Sequence, residues 1–146
     1  MSSKFEAVMA LIETCPLVGQ DAYFNFVSSA DQDENTSILT TPYGSLVKKY
    51  VDGPEVKKFQ CEIRQVKPLS RISNTSENMK QIQKVQEFLD WINEQGRQRN
   101  FPDFGEGCEV LDMGTPDGVD YPSIAGMNEH VALYAFPFEI TYVEGV

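Results

Sequence analysis

The side chains able to do covalent or metal chemistry are few and scattered. His130 is the single histidine, which excludes metal motifs built on two histidines. Cys108 is its arithmetic partner for a nucleophile–base pair, yet nothing in their spacing brings them together, and a cysteine of this kind is more often a small buried hydrophobe. Asp31-Gln32-Asp33-Glu34-Asn35 starts like a calcium loop. Thr36 stands where that loop needs glycine and Pro42 where it needs the closing glutamate, so a solvated loop is expected. Gly105-Glu106-Gly107 lacks the third glycine of a dinucleotide fingerprint, and Gly44-Ser45 lacks the lysine of a phosphate loop. Asp90 and Glu94 lie one helical turn apart on an outward face and read as surface charge. The expectation is no catalytic residue, no metal ligand and no cofactor.

Charge carries more information. Twelve Lys+Arg against 22 Asp+Glu give a net charge of −10, which disfavours a protein that grips nucleic acid. The charge is segregated: residues 1–45 hold one base and six acids, 46–99 hold eleven bases and seven acids, and 100–146 hold nine acids and no base. A basic middle and an acidic end allow copies of the chain to pair; solvated acids that keep the protein soluble are the plainer reading. The positive half of such a subunit interface would be Lys48, Lys49, Lys57 and Lys58. A simple register around Asp52-Gly53 sets Lys48 almost opposite Lys57, a repulsion that an external anionic partner would relieve. The competing role for these lysines is to blunt an exposed sheet edge.

The elements that must position these residues follow from periodicity. Phe5, Val8, Met9 and Ile12 make one helical stripe, with Ser3 and Glu6 at capping-box spacing and Pro16 as the stop. Tyr23 to Val27 and Thr36 to Thr41 read as short strands. Leu46–Val51 and Glu55–Val66 form a hairpin around Asp52-Gly53; in its second strand Phe59, Cys61 and Ile63 point one way, and Lys58, Gln60, Glu62 and Arg64 the other. The longest helix runs from Glu77 to Gln95, capped by Asn74, Thr75 or Ser76 and ended by Gly96. Ile82, Val85, Leu89 and Ile92 form its buried stripe, widened by Phe88, with Trp91 at the margin. Phe101 to Gly105 is a turn, and Glu109 to Met113 a strand. Gly114 to Asn128, with three glycines and two prolines, reads as a long mobile loop that orders against a partner, through Asp117, Asp120, Tyr121 and Met127. In the last strand, Val131 to Val143, residues Tyr134, Phe136, Phe138, Ile140 and Tyr142 share a face, and Pro137 predicts an edge or a bulge.

Helix, strands, long helix, strands is the order of an α+β domain with a mainly antiparallel sheet, flanked by an N-terminal and a long helix, with a protruding hairpin. A length of 146 residues is that of one domain, residues 1–146. No apolar run reaches membrane-spanning length and no secretory leader is visible. Three cysteines, an odd number, fit a reducing compartment.

The segment Phe88-Leu89-Asp90-Trp91-Ile92-Asn93-Glu94-Gln95, followed by Asn100 to Gly105, resembles the tail-terminator or "minor capsid" proteins of long-tailed bacteriophages and Gram-positive prophages. So do the opening helix ending Thr14-Cys15-Pro16-Leu17, the stretch Tyr23 to Phe26, the hairpin Lys48 to Gly53 and the long final strand; the loop 114–128 carries no such likeness. The resemblance implies a sheet flanked by helices and a homohexameric ring at the head-proximal end of the virion tail. It would stop tube polymerisation and meet the major tail tube protein on one side and a head-completion or connector protein on the other. DNA would pass through without specific binding, an acidic lumen repelling its phosphates. The resemblance implies no enzyme activity and no membrane, with synthesis in the host cytoplasm. Two alternatives stand beside it: another head–tail connector or baseplate adaptor, and a small enzyme built on Cys108 and His130.

Overall fold

The computed structural model describes residues 4–16, 22–24, 35–40, 46–49, 53–68, 75–127 and 131–145. The elements in order are α1 (Lys4–Glu13), β1 (Ala22–Phe24), β2 (Asn35–Thr40), β3 (Leu46–Lys49), β4 (Glu55–Pro68), α2 (Thr75–Arg97), β5 (Cys108–Gly114), β6 (Ser123–Met127) and β7 (Val131–Glu144). One sheet joins the strands. β4 and β7 are its spine, antiparallel over their full 14 residues, from Glu55 opposite Glu144 to Pro68 opposite Val131. On the β4 side, β2 pairs with one half and β3 with the other, and β1 lies outside β2; on the β7 side, β6 pairs with one half and β5 with the other. Only β1–β2 is parallel. This is the expected α+β architecture.

Alternation of residue type sets which face is covered. Cys61 and Ile63 on β4, and Ala132, Tyr134, Phe136, Phe138, Ile140 and Tyr142 on β7, are buried in a single core with Val8 and Ile12 of α1 and Val85, Phe88, Leu89 and Ile92 of α2. Both helices therefore pack on one face. Phe88 meets Phe136 edge-on at 5.8 Å. Under α1 an aromatic chain runs Phe5–Phe59–Phe104–Tyr142, with centroids 5.5, 6.1 and 5.1 Å apart. Phe5 caps that chain from outside and stays 46% exposed, so the α1 stripe is Ala7, Val8 and Ile12 rather than one led by Phe5.

Four expectations need correction. First, β7 is central, not an edge. Pro137 is accommodated because neither β5 nor β6 pairs with residues 136–138, so no ladder bond is asked of its nitrogen there. Second, the hairpin does not protrude: the same β4 residues that pair with β3 pair with β7 on their other side. Third, Gly96 does not end α2. A Cβ there would collide with the Met113 carbonyl, so glycine lets the helix lie directly on β5. The helix ends at Arg99, whose φ of 60° is left-handed. Arg99 N–H donates to the Gly96 carbonyl (3.1 Å) and Asn100 N–H to that of Gln95 (2.9 Å), the paired bonds of a Schellman turn with arginine in the usual glycine position. Fourth, the segment after β5 is not structureless. Thr115 N–H donates to Asn93 Oδ1 (3.0 Å), Thr115 Oγ1 to the Val119 carbonyl (2.9 Å), and Gln86 Nε2 to the Asp120 carbonyl (2.9 Å). These bonds tie the turn to α2 and lead into β6, a strand hidden from periodicity by Gly126 and a register break between Ile124 and Gly126. Ser3 and Asn74, two of the expected capping residues, lie outside the described residues.

Candidate functional site

The four lysines singled out from the sequence lie on β3 and β4. Lys48 is opposite Val56 and Lys49 opposite Glu55, while Lys57 faces Leu46 across a register shift. The expected Lys48–Lys57 juxtaposition is therefore replaced by pairs without like charge. Lys57 and Lys58 already have carboxylates from the acidic end of their own chain. Lys57 Nζ lies 2.6 Å from Glu144 Oε2 and 3.5 Å from Glu55 Oε2, and Lys58 Nζ lies 3.3 Å from Glu139 Oε1. The antiparallel β4–β7 spine brings the basic and acidic segments together inside one subunit, which the segment totals alone do not reveal.

Glu144 is the hub. Lys4 Nζ is 3.4 Å from its Oε1 and sits 5.4 Å above the Tyr142 ring; the half-buried Cys108 thiol is 3.9 Å from the same oxygen. The Lys57 hydrogen bond, helped by Lys4, holds the Glu144 carboxyl below the usual carboxylate range, and the same bond raises Lys57. Cys61, deep in the core, is pushed up to about 12 by burial and is inert as a nucleophile. His130 lies outside the described residues, so the Cys108–His130 pairing does too. Among the described residues no cluster of His, Cys, Asp or Glu is arranged to hold a metal ion.

The expected partner-contact residues are outward-facing. Asp117 and Asp120 are exposed, and Tyr121 and Met127 are 77% and 61% exposed. Ile124, which sequence reasoning passed over, joins them at 51%. Its signal was present: Ile124 and Met127 are the branched and long apolar residues of an otherwise small-residue strand. Asp117 also lines a polar cavity of about 380 Å³ with Asp112, Asn93, Arg97, Lys58 and Glu139. A second, more apolar groove of about 860 Å³ separates α1 from the 101–106 turn, over Ala7, Ala10, Leu11, Phe101 and Pro102, with Glu6, Asp103 and Glu106 around it.

A further polar group was missed. Gln65 and Lys67 continue the inward alternation of Cys61 and Ile63 and are buried, as are Thr36 and Gln81. Gln65 Nε2 donates to Thr36 Oγ1 at 3.0 Å, while the amide oxygens of Gln65 and Gln81 have no partner. Each such orphan costs on the order of 1–3 kcal/mol.

No model of a known protein family matches this chain, and no curated protein matches it by sequence. The surfaces just described are therefore read on their own chemistry. That chemistry is association: ion pairs, exposed apolar side chains and strand edges, arranged around a rigid sheet.

Proposed function

We propose that this protein is a structural component of a phage virion, a tail terminator. Copies of it form a ring at the head-proximal end of the tail tube, stop tube polymerisation and offer a joining surface to head-completion proteins. The observation that carries the reading is the likeness of Phe88 to Gly105 to that family, supported by the part this segment plays in the fold. It supplies the buried face of α2, the Schellman turn, and Phe104, which anchors the chain between Phe59 and Tyr142. A likeness concentrated in fold-bearing residues is a likeness of architecture, and the α+β sheet with both helices on it agrees with the one the family implies. The role is mechanical, with no chemical step assigned to any side chain. The net charge of −10 suits a lumen through which DNA slides without adhering.

Deleting the gene tests this. Tubes of abnormal, often excessive length that fail to join heads are expected in electron micrographs of the lysate. Tails of normal length joined to heads would overturn the proposal.

A further inference from the structure

The sheet has two edges, and their chemistry matches along two rows. In the first row Ala22 of β1 lies opposite Thr36, Thr36 opposite Gln65, Gln65 opposite Tyr134, and Tyr134 opposite Ile124 of β6. In the second, Lys48 of β3 lies opposite Val56, Val56 opposite Val143, and Val143 opposite Glu109 of β5. The left edge is thus β1 (Ala22–Phe24), which is uncharged, and β3 (Leu46–Lys49), which ends in two lysines. The right edge is β6 (Ser123–Met127), which is uncharged, and β5 (Cys108–Gly114), which carries the exposed acids Glu109 and Asp112.

Uncharged thus stands across from uncharged, and basic from acidic. The spacing agrees as well. Gln65 and Val56 are nine residues apart on β4, and their opposites Tyr134 and Val143 are nine apart on β7. The two left-edge strands are therefore offset by the same ~30 Å as the two right-edge strands. One rigid copy can meet both at once. Direction agrees too. Tracing the pairings across the sheet, β1 and β3 run with β7, while β5 and β6 run against it. A copy placed in line continues the sheet with antiparallel joints at both contacts.

β6 also lacks the devices that guard an edge. It has no charge and no proline, and Ile124 and Met127, opposite the buried Tyr134 and Ala132, carry the core face out to solvent. Met79, 54% exposed, lies two turns before Gln86 on the same side of α2, above this edge.

We infer that copies of this chain join edge to edge, the β6/β5 edge of one seated on the β1/β3 edge of the next. The contact is heterologous and repeats, so with sheet twist it closes into a ring. This rests on the ring reading above and names the surfaces that would build it. Lys48 and Lys49 are the cations of the joint, Glu109 and Asp112 its anions, and Ile124 and Met127 its apolar part.

Analytical ultracentrifugation of the full chain across a concentration series is the test. Wild type should associate. Ile124→Lys with Met127→Lys, both at exposed positions, should raise the concentration needed for assembly by more than about tenfold while circular dichroism and Tm stay near wild type. Lys48→Glu/Lys49→Glu gives a copy with two acidic edges, and Glu109→Lys/Asp112→Lys one with two basic edges. Each alone should stay dissociated at low salt, and a one-to-one mixture should assemble. Rings unchanged by any of these variants would overturn the edge joint and leave the tail-terminator reading to the deletion phenotype. So would a mixture that fails to assemble when each variant is folded. A monomeric wild type whose β6 amides gain exchange protection only on isolated tail tubes would show the occupant to be tube protein, and would overturn self-joining.

Discussion

β4 and β7 present opposite chemistry on their two faces while sharing one backbone ladder. On the helix-covered side Ile63, Phe136, Phe138 and Ile140 are essentially sealed from water. On the other side Lys58, Gln60, Glu62, Arg64 and Glu139 remain half-exposed and bond to one another, Gln60 Nε2 and Lys58 Nζ both donating to Glu139, and Arg64 to Glu62. The covered face supplies stability. The charged face and the edges supply selectivity in what the sheet touches, since exposed pairs contribute little to folding. Ser37, Val66 and Ala135 are buried on that second face as well, so its open part is the half toward Glu139 and Glu144.

The sharpest way to break this comparison is to truncate the covered face. Phe136→Ala should cost about 3–5 kcal/mol and Leu89→Ala or Ile92→Ala about 2–5, against less than about 0.5 for Glu62→Ala one residue away on β4 from Ile63. Denaturant titration of the monomer checks each. A Leu89→Ala loss below about 1 kcal/mol would mean the α2 stripe is not the seal it looks to be.

Most of this division was legible in the sequence because it depends on period. Phe59-Cys61-Ile63 and Tyr134 to Tyr142 alternate without interruption, and Val85, Leu89 and Ile92 recur at helical spacing, so strands, helix and inward face followed from residue type. Legibility failed where pairing rather than local type decides. Pro137 reads as an edge residue until one sees that β5 and β6 leave a gap opposite it. Gly96 reads as a helix terminator until the Met113 carbonyl fills the space its side chain would need. The Lys48–Lys57 repulsion was inferred from a two-residue turn, and the register shift removes it. The acids that answer Lys57 and Lys58 lie some 80 residues further on, a distance over which composition gives no partner.

The contact between α2 and β5 gives a mid-sized test whose sign is informative. Glycine to alanine inside a helix ordinarily gains about 1 kcal/mol. Gly96→Ala should instead lose on the order of 1–3, because the methyl group meets backbone that cannot swing away. Arg99→Gly, three residues on, should gain a little, below about 1 kcal/mol, as relief of the left-handed φ outweighs glycine's entropy and the lost stacking of the guanidinium on Phe101. A stabilised Gly96→Ala would show that helix and strand stand further apart.

The smallest expected effect lies at the Glu144 hub, and it is separable by pH. The Glu144 carboxyl is held low, chiefly by the Lys57 hydrogen bond, so its contribution to folding is present above the ordinary carboxylate value of about 4.3 and is lost as pH falls through the depressed one. Lys57 is shifted upward, so its share is intact at neutral pH and is lost only as pH rises through its own folded value, above about 10.4. Glu144→Gln keeps the shape and removes the charge. Urea midpoints of wild type and variant should therefore differ most at pH 7 and converge below pH ~3, with the pH 7 difference shrinking as salt is added. A difference that persists unchanged into acid would assign the loss to packing around Tyr142 and Cys108. Glu144 would then belong to the covered face of the sheet and not to its charged rim.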